Sequence, residues 1–411
     1  MNYPSPRQAF YVKLINRTGA LARSSGLAGR PMTPTTLMAA AVKRTGLEDF
    51  GDPDCRPALE HFVDSLESEA RLSTIGRMVT RRMLEDTLAH RLRIVEYRKR
   101  HSDVARQIIR RPLIIMGLPR TGTTILFELL AQDPAHRSPA TWEIAEPVPP
   151  ARGETYRTDP RIARVDKGLK IFDRDLAAGI NAIHAMGASL PQECLAISAF
   201  QFMSEQFGVN YFVPSYRRWY MAQDMEPTYR WHHQFLQHMQ SGLARDRWVL
   251  KTPPHMAFIE ALLTVYPDAC LVQTHRDPME VMASVSSLAC TAHGGFSDHV
   301  DPVLTADLEV RHFADMLQRC LKSRAALADE STHFFDIYFK DIISDPIGAI
   351  ARLYAHFGFD FSAEARQAME RYLAQRPREK HGVHRYTLEE FGLDKARHGG
   401  LFEDYRRRFG L

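Results

Sequence analysis

Gly117 to Thr124 reads GLPRTGTT. Two glycines bracket a short turn and two threonines follow it. That composition lets backbone N–H groups converge on an anion at the start of a helix. Thr123 and Thr124 add hydroxyl donors. A nucleotide loop of the G-x-x-x-x-G-K-[ST] kind needs lysine where this chain has Thr123. The nearest cation is Arg120, inside the loop. Its guanidinium is planar, permanently charged and able to hold an oxyanion through two hydrogen bonds. The stretch describes an anion cradle whose charge has moved or, on the plainer reading, a tight strand–helix turn.

A second cation and hydroxyl follow the same logic. Arg276 ends QTHRDP, and Ser284 lies eight residues on. Asp277 reads as a helix cap, which puts Ser284 two turns further along that helix on the same face. The two could grip a second phosphate group; taken singly they are a surface arginine and an ordinary helix serine. For proton removal there are three candidates. His255 follows the K-T-P-P turn and carries an imidazole that titrates near neutrality. Glu143 stands in TWE and Glu193 in LPQEC. A turn histidine bonding backbone and a helix N-terminal glutamate are the structural alternatives. His232, His233 and His238 in HHQFLQH read as a polar helix face, and no metal is expected.

These residues need a frame. PLIIMGL (112–118) is an apolar run suited to a buried parallel strand, and 247–252, 269–274 and 333–339 are similar. Helical patterns separate them: Thr123 to Gln132, and Ile259, Leu262, Leu263 and Tyr266 at i, i+3, i+4, i+7. Asp277-Pro278 and Asp345-Pro346 each offer an N-cap followed by proline at the first helical position. Strands alternating with helices predict an α/β fold with a central parallel sheet. Residues 1–35, rich in Gly, Ser, Pro and Arg, read as a flexible arm. Residues 36–110 read as a helical segment whose basic face (Arg81, Arg82, Arg91, Arg93, Arg98, Lys99, Arg100) is solvated or meets an acidic surface. Residues 111–411 form the main domain. An aromatic-rich helical insertion at about 144–245 (Tyr211, Phe212, Tyr216, Trp219, Tyr220, Tyr229, Trp231) reads as the substrate side or as plain core.

The 411 residues are 45% hydrophobic and 25% charged, values of an ordinary globular protein. A net charge of +4 is too mild to argue for nucleic acid. Five widely spaced cysteines suit reduced thiols in a cytosol, so a cytoplasmic location is expected. No stretch approaches the ~20 apolar residues of a membrane span.

PLIIMGLPRTGTTILFELLAQDP followed by THRDPMEVMAS resembles the two donor-binding elements of PAPS-dependent sulfotransferases. YFKDIISDPIGAIARLYAHFGF, WVLKTPPH, TWE and the closing HRYTLEEFGL…YRRRFG extend the likeness to a bacterial branch of that family, over most of residues 35–411. The resemblance implies a P-loop-type three-layer fold with a helical N-terminal extension and a helical insertion. It implies sulfuryl transfer from PAPS (3′-phosphoadenosine 5′-phosphosulfate) to a hydroxyl acceptor, with adenosine 3′,5′-bisphosphate released. Arg120, Thr121, Gly122, Thr123 and Thr124 would hold the 5′-phosphosulfate, and Arg276 and Ser284 the 3′-phosphate. Tyr338 would lie beside the adenine, and Lys380 or His381 would close over the phosphates. Arg120 and Lys251 would stabilise the charge that develops on the bridging oxygen. The family's K-T-H histidine is absent, since Pro253 stands there; Glu143 is favoured narrowly over His255 as the base because some relatives use a glutamate in that stretch. The acceptor, whether small molecule, lipid or carbohydrate, is not legible, although the aromatics of 205–231 favour a hydrophobic one; a homodimer is left open. The competing readings are an ATP-dependent P-loop kinase and a non-enzymatic module that binds acidic surfaces.

Overall fold

The computed structural model describes residues 8–24, 31–183, 185–375 and 387–411. Five strands form one parallel sheet in the order β2-β3-β1-β4-β5. They are β1 Leu113–Gly117, β2 His136–Arg137, β3 Arg247–Lys251, β4 Cys270–His275 and β5 Phe334–Tyr338. β1 is buried throughout because it is central and covered on both faces, as its unbroken apolar run requires. Leu113 and Ile115 pack with Leu126, Leu130, Ile350 and Leu353 on one side. Ile114 and Met116 face the larger core built with the N-terminal and insertion helices. Helices on both faces of a parallel sheet make the α/β fold that the alternating pattern predicts. β2 is an edge strand of two residues, too short to leave a pattern in the sequence.

The described part of the expected loose arm is ordered as a helix, Phe10–Ser24, pinned by contacts far along the chain. The Gln8 amide donates to the Gly294 carbonyl at 2.9 Å. The Asn16 amide donates to Asp298 at 3.1 Å, and its carbonyl accepts from the Ile75 N–H at 2.9 Å. Helices Pro34–Thr45, Arg56–Ser68 and Thr74–Arg100 follow. The last is not basic on one solvated face. Arg91 is buried, its guanidinium 3.9 Å from the Trp231 ring centroid, and it donates to the Phe50 and Phe200 carbonyls and to Gln201 at 2.7, 3.0 and 2.8 Å. Most of the other arginines pair within the molecule, for example Arg82 with Asp86 at 3.0 Å and Arg100 with Glu96 at 2.6 Å.

The insertion's aromatics are core for the most part. Phe62 stacks on Phe207 at 4.0 Å and meets Tyr216 edge-on at 5.3 Å, and Tyr211, Tyr220, Tyr229 and Trp231 are buried with them. They join the insertion to the N-terminal helices. The histidine cluster in helix Glu226–Gly242 is likewise internal rather than a polar face. His232 and His238 are fully buried; His232 Nδ1 lies 2.7 Å from the Tyr266 hydroxyl, and His238 Nε2–H donates to the Pro147 carbonyl at 2.9 Å.

Candidate functional site

The carboxyl ends of β1, β3, β4 and β5 open on one edge of the sheet, where parallel α/β folds bind ligands. Register places Lys251 beside Ile115, Gly117 beside Thr274, and His275 beside Tyr338. The loop after β1 turns at Gly117 with φ +143°. A Cβ there would lie 2.2 Å from Thr274 Oγ1, so β4 approaches too closely for any side chain. The Thr121 hydroxyl meets Thr274 Oγ1 at 2.5 Å and the Leu118 carbonyl at 2.6 Å, which ties the loop's middle to both strands. Gly122 caps helix Thr123–Leu130 with φ +91°. Thr123 is buried, whereas Thr124 is exposed at the helix start.

Arg120 is a non-glycine residue at φ +69°, a conformation that persists only where its surroundings hold it. The holder is Arg276, whose Nη1 donates to the Arg120 carbonyl at 3.1 Å. Arg276 also pairs with Glu280 at 3.0 Å and lies 4.3 Å over the Phe339 ring. The two arginines singled out in sequence are thus neighbours, across 156 residues of chain. Arg120 is exposed, and among the described residues its guanidinium meets no carboxylate. Ser284 is half-buried on helix Met282–Phe296, two residues in from its start, and Asp277 caps the turn before it through the Met279 N–H at 2.9 Å.

Lys251 ends β3, buried, with Nζ 5.9 Å from the Phe127 ring of the loop's helix. Its ammonium pairs with Glu193 Oε1, and the Thr252 hydroxyl donates to Glu193 Oε2 at 3.3 Å. Glu193 precedes helix Cys194–Ser198 of the insertion, so the insertion delivers a carboxylate to the strand end. Glu143 is committed elsewhere. Its buried carboxylate accepts from Arg137 at 2.6 Å, the Tyr156 hydroxyl at 2.9 Å and the Ala140 N–H at 3.1 Å. Arg137 is itself fixed by the Met239 carbonyl at 2.7 Å, near the opposite end of β3 from Lys251.

His255 lies buried in the turn Pro253–Ala257. Its Nδ1 is 2.9 Å from the Tyr229 hydroxyl, and its Nε2 has no partner among the described residues. Burial pushes its pKa down to about 3. A cavity of about 10 Å³, near the room one water needs, adjoins it with Thr252, Ser204 and Glu205 in the wall. The Tyr338 hydroxyl donates to the Phe409 carbonyl at 3.0 Å and so is engaged with the C-terminal helix. Lys380 and His381 lie outside the described residues.

One network was not legible beforehand. The Arg324 guanidinium spans Asp336 at 2.7 and 2.8 Å, and the Asp336 carboxylate accepts from His275 Nε2–H at 2.8 Å. His275 Nδ1 is then the acceptor for the Tyr405 hydroxyl at 2.7 Å. Arg406 clasps Asp277 at 2.8 and 3.1 Å. Residues on either side of Arg276 are therefore held by consecutive residues of helix Glu403–Phe409. Only the basic YRRRFG run hinted at it.

The model of the sulfotransferase family matches residues 112–363. The crystal structure of sulfotransferase STF9 from Mycobacterium avium superposes with a TM-score of 0.84 at 31% identity, over 92% of this chain and 97% of that one. Sulfotransferase STF1 from Mycobacterium tuberculosis gives 0.80 at 33% identity, over 91% and 99%. The omega-hydroxy-beta-dihydromenaquinone-9 sulfotransferase Stf3 of Mycobacterium bovis is 26% identical over 72% of this chain and 74% of its own length.

Proposed function

The chain belongs to the sulfotransferase family and is an enzyme of sulfuryl transfer, and from that premise we propose that its donor is PAPS and its acceptor a hydrophobic, lipid-type alcohol. The observation that carries the donor is the joined pair of arginines. A glycine-turned loop with exposed Thr124, and with Arg120 unpaired among the described residues, meets Arg276 at the sheet edge where Ser284 also lies, which supports one anion cradle after β1 and one after β4. The lipid-type acceptor is supported by the menaquinone substrate in the name of the Mycobacterium bovis relative.

The donor supplies a sulfuryl group on a bisphosphate leaving group. Arg120, Thr121, Gly122, Thr123 and Thr124 hold its 5′ side, and Arg276 and Ser284 its 3′-phosphate. The acceptor oxygen bonds to sulfur as the bond from sulfur to the bridging oxygen breaks. Lys251 and Arg120 stabilise the charge left on that oxygen, since preorganised cations at a developing anion are among the largest catalytic terms. The acceptor's proton goes to a carboxylate. Glu193 is the best placed, because it already sits against Lys251 and Thr252. Once Lys251 turns to the donor, a Glu193 oxygen is free to accept the acceptor's proton. Glu143, with three donors on its carboxylate, and His255, whose pKa burial has lowered to about 3, serve to position their surroundings.

Adenosine 3′,5′-bisphosphate should raise the melting temperature without magnesium, because a ligand that binds the native state stabilises it by mass action. Thermal unfolding with the bisphosphate, with ATP, and with ATP plus magnesium decides the donor. A magnesium-dependent shift with ATP and none with the bisphosphate would overturn the assignment.

A further inference from the structure

Helix Phe10–Ser24 is amphipathic in the wrong sense for a globular surface. Val12, Asn16 and Gly19 face the protein: Val12 is 1% exposed, Asn16 is buried in hydrogen bonds, and Gly19 abuts Thr74. The other side carries Phe10, Leu14 and Ile15, with Phe10 82% and Leu14 52% exposed, while Tyr11 beside them bonds Asp175 through its hydroxyl. Met78, one helical turn beyond Thr74 on the neighbouring helix, is also 60% exposed. Large apolar side chains gathered on one exposed helix face are costly to leave in water and mark a place of contact.

The charges say what the contact is. The helix has no acidic residue, and Lys13 and Arg17 project beside the apolar stripe. Among the described residues neither meets a carboxylate. A stripe of aromatic and branched side chains flanked by unpaired cations is the pattern of a helix that lies in a bilayer interface, apolar face among the acyl chains and cations at anionic headgroups. A two-fold contact centred on this stripe would bring the Lys13 and Arg17 cations of two copies together with no acidic residue of the helix to offset them. No helix among the described residues is long and apolar enough to cross a membrane, so surface attachment is the mode that this helix allows.

We propose that Phe10–Ser24 is an interfacial helix that docks the enzyme on an anionic lipid surface. The inference rests on the lipid-type acceptor for its purpose: an acceptor dissolved in a bilayer has to be met there. It rests on the helix alone for its physics. Helix Met282–Phe296 runs from the Ser284 end to the Gly294 carbonyl that Gln8 holds, so one rigid rod joins the docking helix to the donor site.

The test is co-sedimentation of the full chain with sucrose-loaded vesicles of phosphatidylcholine, with and without phosphatidylglycerol. Wild type should sediment with the phosphatidylglycerol vesicles, and added salt should weaken the binding. The Leu14→Ser, Ile15→Ser double variant should lose roughly tenfold or more in partitioning, since two apolar side chains no longer leave water. Lys13→Glu with Arg17→Glu should abolish the preference for anionic lipid. Both variants should keep the wild-type melting temperature and bisphosphate affinity. Wild type that stays in the supernatant, or a double variant that sediments like wild type, overturns the proposal. So does a wild-type dimer that the double variant converts to monomer, which would make the face a contact between copies. Bisphosphate binding is read separately, so failure of the donor assignment and failure of the docking helix are distinct results.

Discussion

A carboxylate removes a proton only if a lone pair can reach it. Glu143 spends its oxygens on Arg137, Tyr156 and the Ala140 N–H, and it holds a buried arginine in place. Glu193 faces Lys251, the cation proposed to stabilise the leaving oxygen. The two glutamates therefore separate by experiment. Glu193→Gln should lower kcat by ~10²–10⁴, the usual worth of a general base, and leave bisphosphate affinity near wild type. Glu143→Gln should instead cost about 3 kcal/mol of stability, because it leaves Arg137 buried without its counter-charge, and kcat per folded molecule should stay within a few-fold. Melting curves and turnover on one acceptor resolve them. A Glu143→Gln enzyme that melts like wild type but does not turn over would return the base to Glu143.

At the scale of elements, the proposed donor site is braced by helix Glu403–Phe409. Tyr405 holds His275 and Arg406 holds Asp277, the two neighbours of Arg276. Arg276 in turn holds the carbonyl of Arg120 in its left-handed turn. Arg406→Met should free the Arg276–Asp277 corner and weaken bisphosphate binding by roughly tenfold, in line with loss of a charge-assisted, two-point contact. Arg406→Lys, which keeps the charge but not the fork, should recover part of it. Titration calorimetry checks both. Arg406→Met binding as tightly as wild type would show that the strand ends hold their geometry unaided.

The whole molecule carries an acid sensitivity built from buried histidines. Burial lowers His255 to about 3 and His90, His238 and His293 to about 4, from an ordinary value of 6.5. Between those limits the unfolded chain binds protons that the folded chain excludes. The stability that these neutral rings contribute is therefore full above pH 6.5 and falls as the pH drops through the window towards about 4. At pH 5.5 each such histidine costs about 1 kcal/mol. Urea midpoints measured between pH 7.5 and 5 should fall steadily, and His238→Gln should flatten the slope. A midpoint constant over that range would contradict the burial of these rings.

Local pattern made the chemistry's outline readable. An apolar run, a glycine-bounded turn and a helix start are set by neighbours in the chain, so β1, its loop and helix Thr123–Leu130 could be placed from residues 112–132 alone. The same holds for β3, β4, β5 and the Asp277 and Asp345 caps. Which charges meet was not readable, because an ion pair depends on distance in space. Glu193 and Lys251 are 58 residues apart, Arg276 and the Arg120 carbonyl 156, and His275 and Tyr405 130. Burial was misread for the same reason. Arg91 and the HHQFLQH histidines have the composition of a wet helix face, yet the core supplies carbonyls, rings and hydroxyls that make their burial tolerable. Phe10–Ser24 errs in the opposite direction: its apolar residues would ordinarily point inward, and only the tertiary structure, by seating Asn16 and Gly19 against the protein, turns them out. A sequence determines the chemistry that each segment offers; the packing of distant segments decides which of those offers meet.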